Sequence, residues 1–538
     1  MNRKGIVART LSLGLLSSLG MAVCQQEAVA GGIDTILPDS GFYPGFPTSS
    51  GNTIQFGRSV ATDGATLVIG DPYASELGED ITAEGAVFVY QNVGGVWTHE
   101  QTIRFPHPTF QDSTSTTRAL FGWSVAVHSG TLVVGAPQYG GDMGGAIFVY
   151  DKTTDPNDPT PWNKINQNLD NPLDGFGGHT IDDNFGWSVA MNADYIVVGS
   201  PGVNENYNQH TGAQAGAAWI YHEHPTVSWA WELADIVAIS TETGMIRGQD
   251  TDVFDNFGAS VALSGQFVIV GAPDASGGAL SGVNLAGSVH TFEFEVIGSN
   301  VTLYERDKIT DLVGASGDDF GASVAVHNAL VLVGAPGHDH SGQTDNGQAR
   351  AYLYTFNGTN FAWDSEGVIR PSTSRYAPTV PATSANAGFG TSVWLDGETA
   401  IIGSPGHSIP SYGDGSAWIF KREFVTEADW LSTHPYVLTA PQSASTVHRF
   451  GNAVNMTLGL IAVGQEWDLT NAVKEAFTTD IDRVYCPWDL DCDGDVDGAD
   501  LGLLNGNWGN PGDSDINLDG TTDGADLGLL LAAWGACP

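Results

Sequence analysis

A phrase of the form Phe-Gly-x-Ser-Val-Ala, then an apolar run ending in Gly-Ala-Pro, recurs through most of this chain. It begins at Phe56, Phe121, Phe185, Phe257, Phe320, Phe389 and, in degraded form, Phe450, at spacings of roughly 60 to 70 residues. A period that regular makes each copy one structural unit, so the architecture is constrained before any single residue is interpreted.

The third copy shows the grammar of a unit. Phe185-Gly-Trp-Ser-Val-Ala-Met alternates small or polar with apolar side chains, the pattern of a half-buried strand. Asn192-Ala-Asp forms a turn, and Tyr195-Ile-Val-Val-Gly199 is a β-branched run of buried-strand type. Ser200-Pro201-Gly202 ends it, because proline cannot donate to a ladder. Gly216-Ala-Ala-Trp-Ile-Tyr221 reads as a third strand and Trp231 to Ile236 as a fourth. No window carries a sustained helical period. Four short strands in each of seven tandem units imply an all-β radial array of small sheets, with small residues where the sheets converge.

The last unit offers only three strand candidates, at Asn452 to Met456, Leu460 to Gly464 and Asp480 to Tyr485. Ile33-Asp-Thr-Ile-Leu-Pro38 matches the fourth-strand phrase and precedes the first Phe-Gly, so the N-terminal strand is expected to complete the last sheet and hide its edge.

These phrases resemble FG-GAP repeats, the units of the integrin alpha-subunit β-propeller and of many secreted bacterial proteins. Gly135-Ala-Pro137, Gly271-Ala-Pro273 and Gly334-Ala-Pro336 match to the letter; Gly199-Ser-Pro201, Gly403-Ser-Pro405 and Gly70-Asp-Pro72 differ by one residue. The resemblance implies a seven-bladed β-propeller over residues 31–485. No Asp-x-Asp-x-Asp-Gly calcium loop of the integrin type occurs in residues 31–480. The acidic pairs Asp182-Asp183 and Asp318-Asp319, just before a Phe-Gly, read as solvated loop carboxylates, with calcium sites as the alternative.

Residues 1–30 read as a secretory signal peptide. Arg3, Lys4 and Arg9 are the basic start, Leu11 to Val23 the apolar core, and Ala28-Val29-Ala30 the small-x-small cleavage site. No other segment is long and apolar enough for a membrane span, so the mature protein is expected to be secreted, extracellular or cell-surface associated. A net charge of −43 argues against nucleic acid and anionic membrane surfaces as partners and attracts divalent cations.

Residues 486–538 hold the most explicit chemistry. Asp489, Asp491, Asp493, Asp497 and Asp500 fall at positions 1, 3, 5, 9 and 12 of a twelve-residue loop with Gly494 at position 6. Asp515, Asn517, Asp519, Asp523 and Asp526 repeat the set around Gly520. Asp495 and Thr521, at position 7, are expected to offer backbone carbonyls. Two Ca²⁺ sites follow, since calcium wants six to eight oxygens and such a loop wraps one ion. Each loop runs into a helix carrying an apolar stripe: Leu501, Leu504 and Trp508, then Leu527, Leu530 and Trp534.

A duplicated EF-hand-type loop and helix with no entering helix resembles a type I dockerin, the module that binds cohesin domains in cellulosome-like assemblies. Dockerins of known partnership carry Ser-Thr-like pairs at loop positions 10 and 11; Gly498-Ala499 and Gly524-Ala525 stand there in this chain. The partner of the tail is therefore either cohesin-like or of another specificity. Cys486 and Cys537 bracket the module, and an oxidising compartment favours a disulfide between them.

Gly-x-Ser-x-Ala imitates a hydrolase nucleophile turn. It recurs at Ser59, Ser124, Ser188, Ser260 and Ser323 at the start of the same strand, which marks a structural position. His338-Asp339-His340 and His222-Glu-His224 have the look of paired zinc ligands without a third, and ordinary loop histidines are expected. The varied loops at 202–215, 273–286 and 337–348 are the expected binding surface for a protein or polysaccharide ligand. The functional expectation is a non-enzymatic interaction or adhesion propeller with a calcium-dependent dockerin-like tail. The alternative is a glycoside hydrolase-like propeller enzyme recruited to a degradative complex, which needs a carboxylate pair that sequence alone does not select.

Overall fold

The computed structural model describes residues 34–37, 55–74, 84–94, 96–106, 118–140, 143–155, 158–173, 182–204, 214–223, 230–234, 245–248, 254–275, 286–297, 300–311, 314–356, 361–371, 384–408, 414–422, 436–439, 449–465, 476–480, 495–509, 514 and 522–536. The chain divides into two compact units between Val484 and Tyr485. The larger is a seven-bladed β-propeller whose blades are antiparallel sheets with strands in chain order from the axis outward. The signal-peptide residues 1–30 lie outside the described residues. Among the described residues no helix is long and apolar enough to cross a membrane.

The first blade consists of Ser59–Thr62, Thr66–Asp71, Ala86–Val93 and Val96–Arg104. Its second strand is buried at every position, whereas the outermost strand buries only Ile103. Middle strands read as unbroken apolar runs because a neighbouring blade covers each of their faces; outer strands meet water. The core is accordingly a set of inter-blade layers. Phe121, Val125 and Phe148 of one blade pack with Val68, Val87 and Ile103 of the blade before it. Each Phe of the repeated phrase is buried against an aromatic ring of its own third strand, as with Phe121 and Phe148 at 5.4 Å or Phe185 and Trp219 at 5.4 Å.

The repeated Gly and Ser form the seam between blades. At Gly271, at the end of a second strand, a Cβ would lie 2.1 Å from the carbonyl oxygen of Gly321, which belongs to the Phe-Gly of the next blade. Ser260 Oγ donates to that same Gly321 carbonyl at 2.7 Å. Ser59, Ser124, Ser188, Ser323 and Ser392 make the equivalent bond to Gly122, Gly186, Gly258, Gly390 and Gly451. At the seventh junction Ala453 takes the serine's place, and a Cβ on Gly464 would meet Gly57 O at 2.1 Å. The ring thus returns to the first Phe-Gly.

The N-terminal strand Asp34–Ile36 pairs antiparallel with Ala476–Asp480, the third strand of the seventh blade. Ile36 is buried against Phe56 and Phe88 of the first blade, and Tyr90 Oη donates to Leu37 O at 2.6 Å. One short strand therefore binds both sides of the closing junction. Two strand boundaries differ from expectation. The third strand of the last blade lies at Ala476–Asp480 rather than Asp480 to Tyr485. In the third blade the outer strand is broken into Trp231–Leu233 and Met245–Ile246, which pair with opposite ends of Ala217–Glu223. Trp231 to Ile236 therefore does not run on as one strand.

In the smaller unit, helices Gly498–Gly506 and Gly524–Ala532 enclose a core of Val496, Leu504 and Leu530. The two halves interlock reciprocally: Val496 pairs with Gly535, and Gly509 N donates to Thr522 O at 2.8 Å. Trp508 and Trp534, expected on the buried stripe, are instead 47% and 49% exposed, because the core is closed by leucines one turn earlier.

Candidate functional site

Three places in the molecule bear chemistry: one face of the propeller, its axis, and the loop–helix junctions of the tail. Antiparallel order puts the loops between second and third strands, and the connections between blades, on a single face. On that face Asp311, Asp318 and His338 are buried with ligand atoms within 4.8 Å of one another, the spacing of a metal triad. Two arginines already serve it. Arg350 Nη2 lies 3.0 Å from Asp311 Oδ1, and Arg370 Nη2 lies 3.4 Å from His338 Nε2. His338 Nδ1 donates to Asp318 Oδ2 at 2.7 Å. Gln348 donates to Asp311 at 3.1 Å and accepts from Arg370 at 2.9 Å. The cluster is an internal ion-pair network, with guanidinium groups supplying the counter-charge that buried carboxylates require.

His340 uses both ring nitrogens as well: Nε2 donates to Gly347 O at 2.9 Å and Nδ1 accepts from Asn346 at 3.1 Å. Burial, with Arg370 nearby, holds its pKa below the usual histidine value. Asp183 and Asp318, expected as solvated carboxylates, are buried. Asp183 accepts from Asn171 at 2.9 Å, and Asp318 bonds His338 and Ala315 N. Asp183 joins the two ends of one connection between blades, and Asp318 ties another to the loop that carries His338. His222, on the third blade, lies 3.5 Å from Glu232, and His224 lies outside the described residues.

Asp319 is the electrostatically costly member of this face. Burial, followed by the carboxylates of Asp274, Asp318 and Asp345, pushes its pKa up to about 6. It has φ 56°, as Asn184 and Asn256 have φ 57° and 54° at the same place in two earlier repeats. The folded state therefore holds an extra proton between the ordinary aspartate value and about 6, so stability falls as pH rises through that window and stays lower above it. Asp319→Asn, the residue of the sibling repeats, is expected to raise the melting temperature at pH 7.5 by about 1–2 °C, solvent screening keeping the gain small. The gain should shrink by pH 4. A thermal scan at the two pH values checks both statements.

The second place is the axis, where the innermost strands of all seven blades line a cavity of about 620 Å³. The residue that ends Phe-Gly-x-Ser-Val-Ala faces this region as Ala61, Ala126, Ala190, Ala262 and Ala325. In the sixth blade it is Trp394, half-buried in the cavity wall, and in the seventh Asn455. The sequence signal for Trp394, absent from the residues singled out above, is the departure of Ser392-Val-Trp from the repeated Ser-Val-Ala.

In the tail, Asp497 and Asp523 are the N-caps of the two helices and accept from Ala499 N and Ala525 N, each at 2.7 Å. Asp500 and Asp526, at loop position 12, are fully buried and close capping boxes by accepting from Asp497 N and Asp523 N at 2.7 Å. Asp495 pairs with Ala536 through its backbone. Asp489, Asp491, Asp493, Asp515, Asn517, Asp519, Thr521, Cys486 and Cys537 lie outside the described residues.

Residues 178–221, 240–292 and 304–354 match the FG-GAP repeat family. These stretches are FG-GAP repeats. The FG-GAP phrase can now be read physically: its Phe fills the blade core and its Gly accepts the seam bond. Among solved structures, the chain is similar to the periplasmic gluconolactonase PpgL of Pseudomonas aeruginosa, at 12% identity and a TM-score of 0.41, over 73% of this chain and 88% of that one. At that distance the likeness bears on neither activity nor substrate. No curated protein matches the chain.

Proposed function

We propose that this is an exported, non-enzymatic interaction or adhesion propeller whose C-terminal unit is a calcium-binding, dockerin-like attachment module. The observation that carries the reading is the pair of equivalent loop–helix junctions, each with a buried aspartate at loop position 12. Residues 486–538 contain eleven aspartates and no Lys, Arg or His, so no side-chain cation of the segment can balance them. A divalent cation supplies that charge, and the donor set of oxygens alone suits calcium. Metal held by the loops from Asp489 to Asp500 and from Asp515 to Asp526 would couple folding of the unit to calcium. The basic start, apolar core and Ala28-Val29-Ala30 at the N-terminus support export. In the propeller the repeated residues are spent on seams, which leaves ligand recognition to the loops that do not repeat.

Calorimetric titration of the chelated full-length protein is expected to show about two calcium sites per chain. Asp489→Ala with Asp515→Ala should abolish both; an unchanged isotherm defeats the calcium reading. The second reading, an enzyme acting on polysaccharide, is favoured by Asp319, since a raised carboxyl beside other carboxylates is how glycosidases hold a general acid. A polysaccharide panel assayed for new reducing ends separates the two. Turnover abolished by Asp319→Asn overturns the non-enzymatic reading, whereas binding without turnover supports it.

A further inference from the structure

We propose that the axial cavity is a carbohydrate-binding site, which holds a short neutral oligosaccharide with a sugar ring against Trp394. This site is lined by innermost-strand residues of the propeller rather than by the loop face, and it stands or falls without the calcium reading.

The first observation is the exception within the repeat. Five blades place alanine at this position of the innermost strand, and the sixth places a tryptophan. The Trp394 ring has no aromatic neighbour, and its indole N–H has no hydrogen-bond partner among the described residues. Trp162 Nε1 by contrast donates to Glu100 at 2.9 Å and Trp418 Nε1 to Ser416 at 2.8 Å, and Trp363, whose Nε1 also lacks a partner, is buried in the core rather than open to a cavity. A large ring that is only half-buried, with a spare donor, contributes less to stability than a packed one, yet it is well suited to the apolar face and hydroxyl rim of a sugar.

The second observation is the wall. Every innermost strand is the edge of its sheet, so the inward backbone groups of residues such as Val60, Val125 and Val261 have no ladder partner. At one strand that edge is taken up by the protein: Thr62 N donates to Asn455 Oδ1 at 3.2 Å, and Thr457 Oγ1 donates to Thr62 O at 2.9 Å. Elsewhere the cavity offers donors and acceptors between apolar side chains. Hydroxyl groups, which both donate and accept, match such an edge, whereas a purely apolar ligand leaves it unsatisfied. Ligand sites commonly span about 300–1,000 Å³, and the cavity, at about 620 Å³, falls within that range.

The test uses the full-length protein with cellotriose, xylotriose, maltotriose and chitotriose, followed by tryptophan fluorescence and calorimetry. At least one trisaccharide is expected to bind saturably. Trp394→Ala should weaken it at least about tenfold. The variant keeps the fold, since alanine is the native residue in five blades, and an unchanged thermal midpoint confirms that. Trp394→Phe should restore part of the affinity. The proposal is overturned if none of the four sugars binds, or if binding is the same in Trp394→Ala. It is equally overturned if the apolar probe 1-octanol quenches Trp394 and the sugars do not.

Discussion

Gly271→Ala is expected to lower the thermal midpoint of the propeller by about 3 °C or more. The added Cβ would stand 2.1 Å from Gly321 O and 2.3 Å from Ser260 Oγ. The serine can rotate away, but the carbonyl is backbone of the next blade and is fixed by the Phe320 anchor, which is fully buried. Relief therefore requires two blades to separate, at a cost of about 3 kcal/mol or more. Ser260→Ala removes only the seam hydrogen bond and should cost about 1 kcal/mol. Circular dichroism melts of the two variants should rank in that order. Equal midpoints for wild type and Gly271→Ala contradict the seam.

The seam also explains why the most tempting catalytic motif of the sequence is structural. Each Gly-x-Ser-x-Ala serine faces the neighbouring blade, where its hydroxyl donates to a glycine carbonyl. Recurrence at a fixed period marks the role, and the fold supplies the partner, which lies about one repeat further along the chain. The repeat and its turn chemistry made the number of blades legible, because each unit is short and locally patterned.

Long-range pairings were legible less often. The broken outer strand of the third blade depends on two segments reaching the two ends of Ala217–Glu223, and no local pattern reports that. Asp183 and Asp318 look like ordinary loop carboxylates until Asn171, from the far end of the same connection, and His338, from the next blade, bond them. Trp508 and Trp534 sit at helical spacing from Leu501 and Leu527, yet a unit this small closes its core on Val496, Leu504 and Leu530 alone. Trp394 was legible as a break in the repeat, but its meaning depends on the axis, which exists only once seven inner strands surround it.

The account rests on a ring that the two ends of the propeller segment close together. Removing residues 31–45 takes away Asp34–Ile36, exposes the edge of Ala476–Asp480 and uncovers the Ile36 contact with Phe56 and Phe88. Burial of Ile36 alone is worth about 2–3 kcal/mol, with strand pairing in addition. The most direct measurement is amide hydrogen exchange at residues 476–480 in the full-length protein and in the variant lacking 31–45, alongside the thermal midpoint. Closure predicts strong protection across Ala476–Asp480 in the intact chain, lost in the shortened one at the alternate amides that face Asp34–Ile36, together with several degrees of midpoint. Unchanged protection and an unchanged midpoint after the removal contradict a propeller closed by its N-terminal strand.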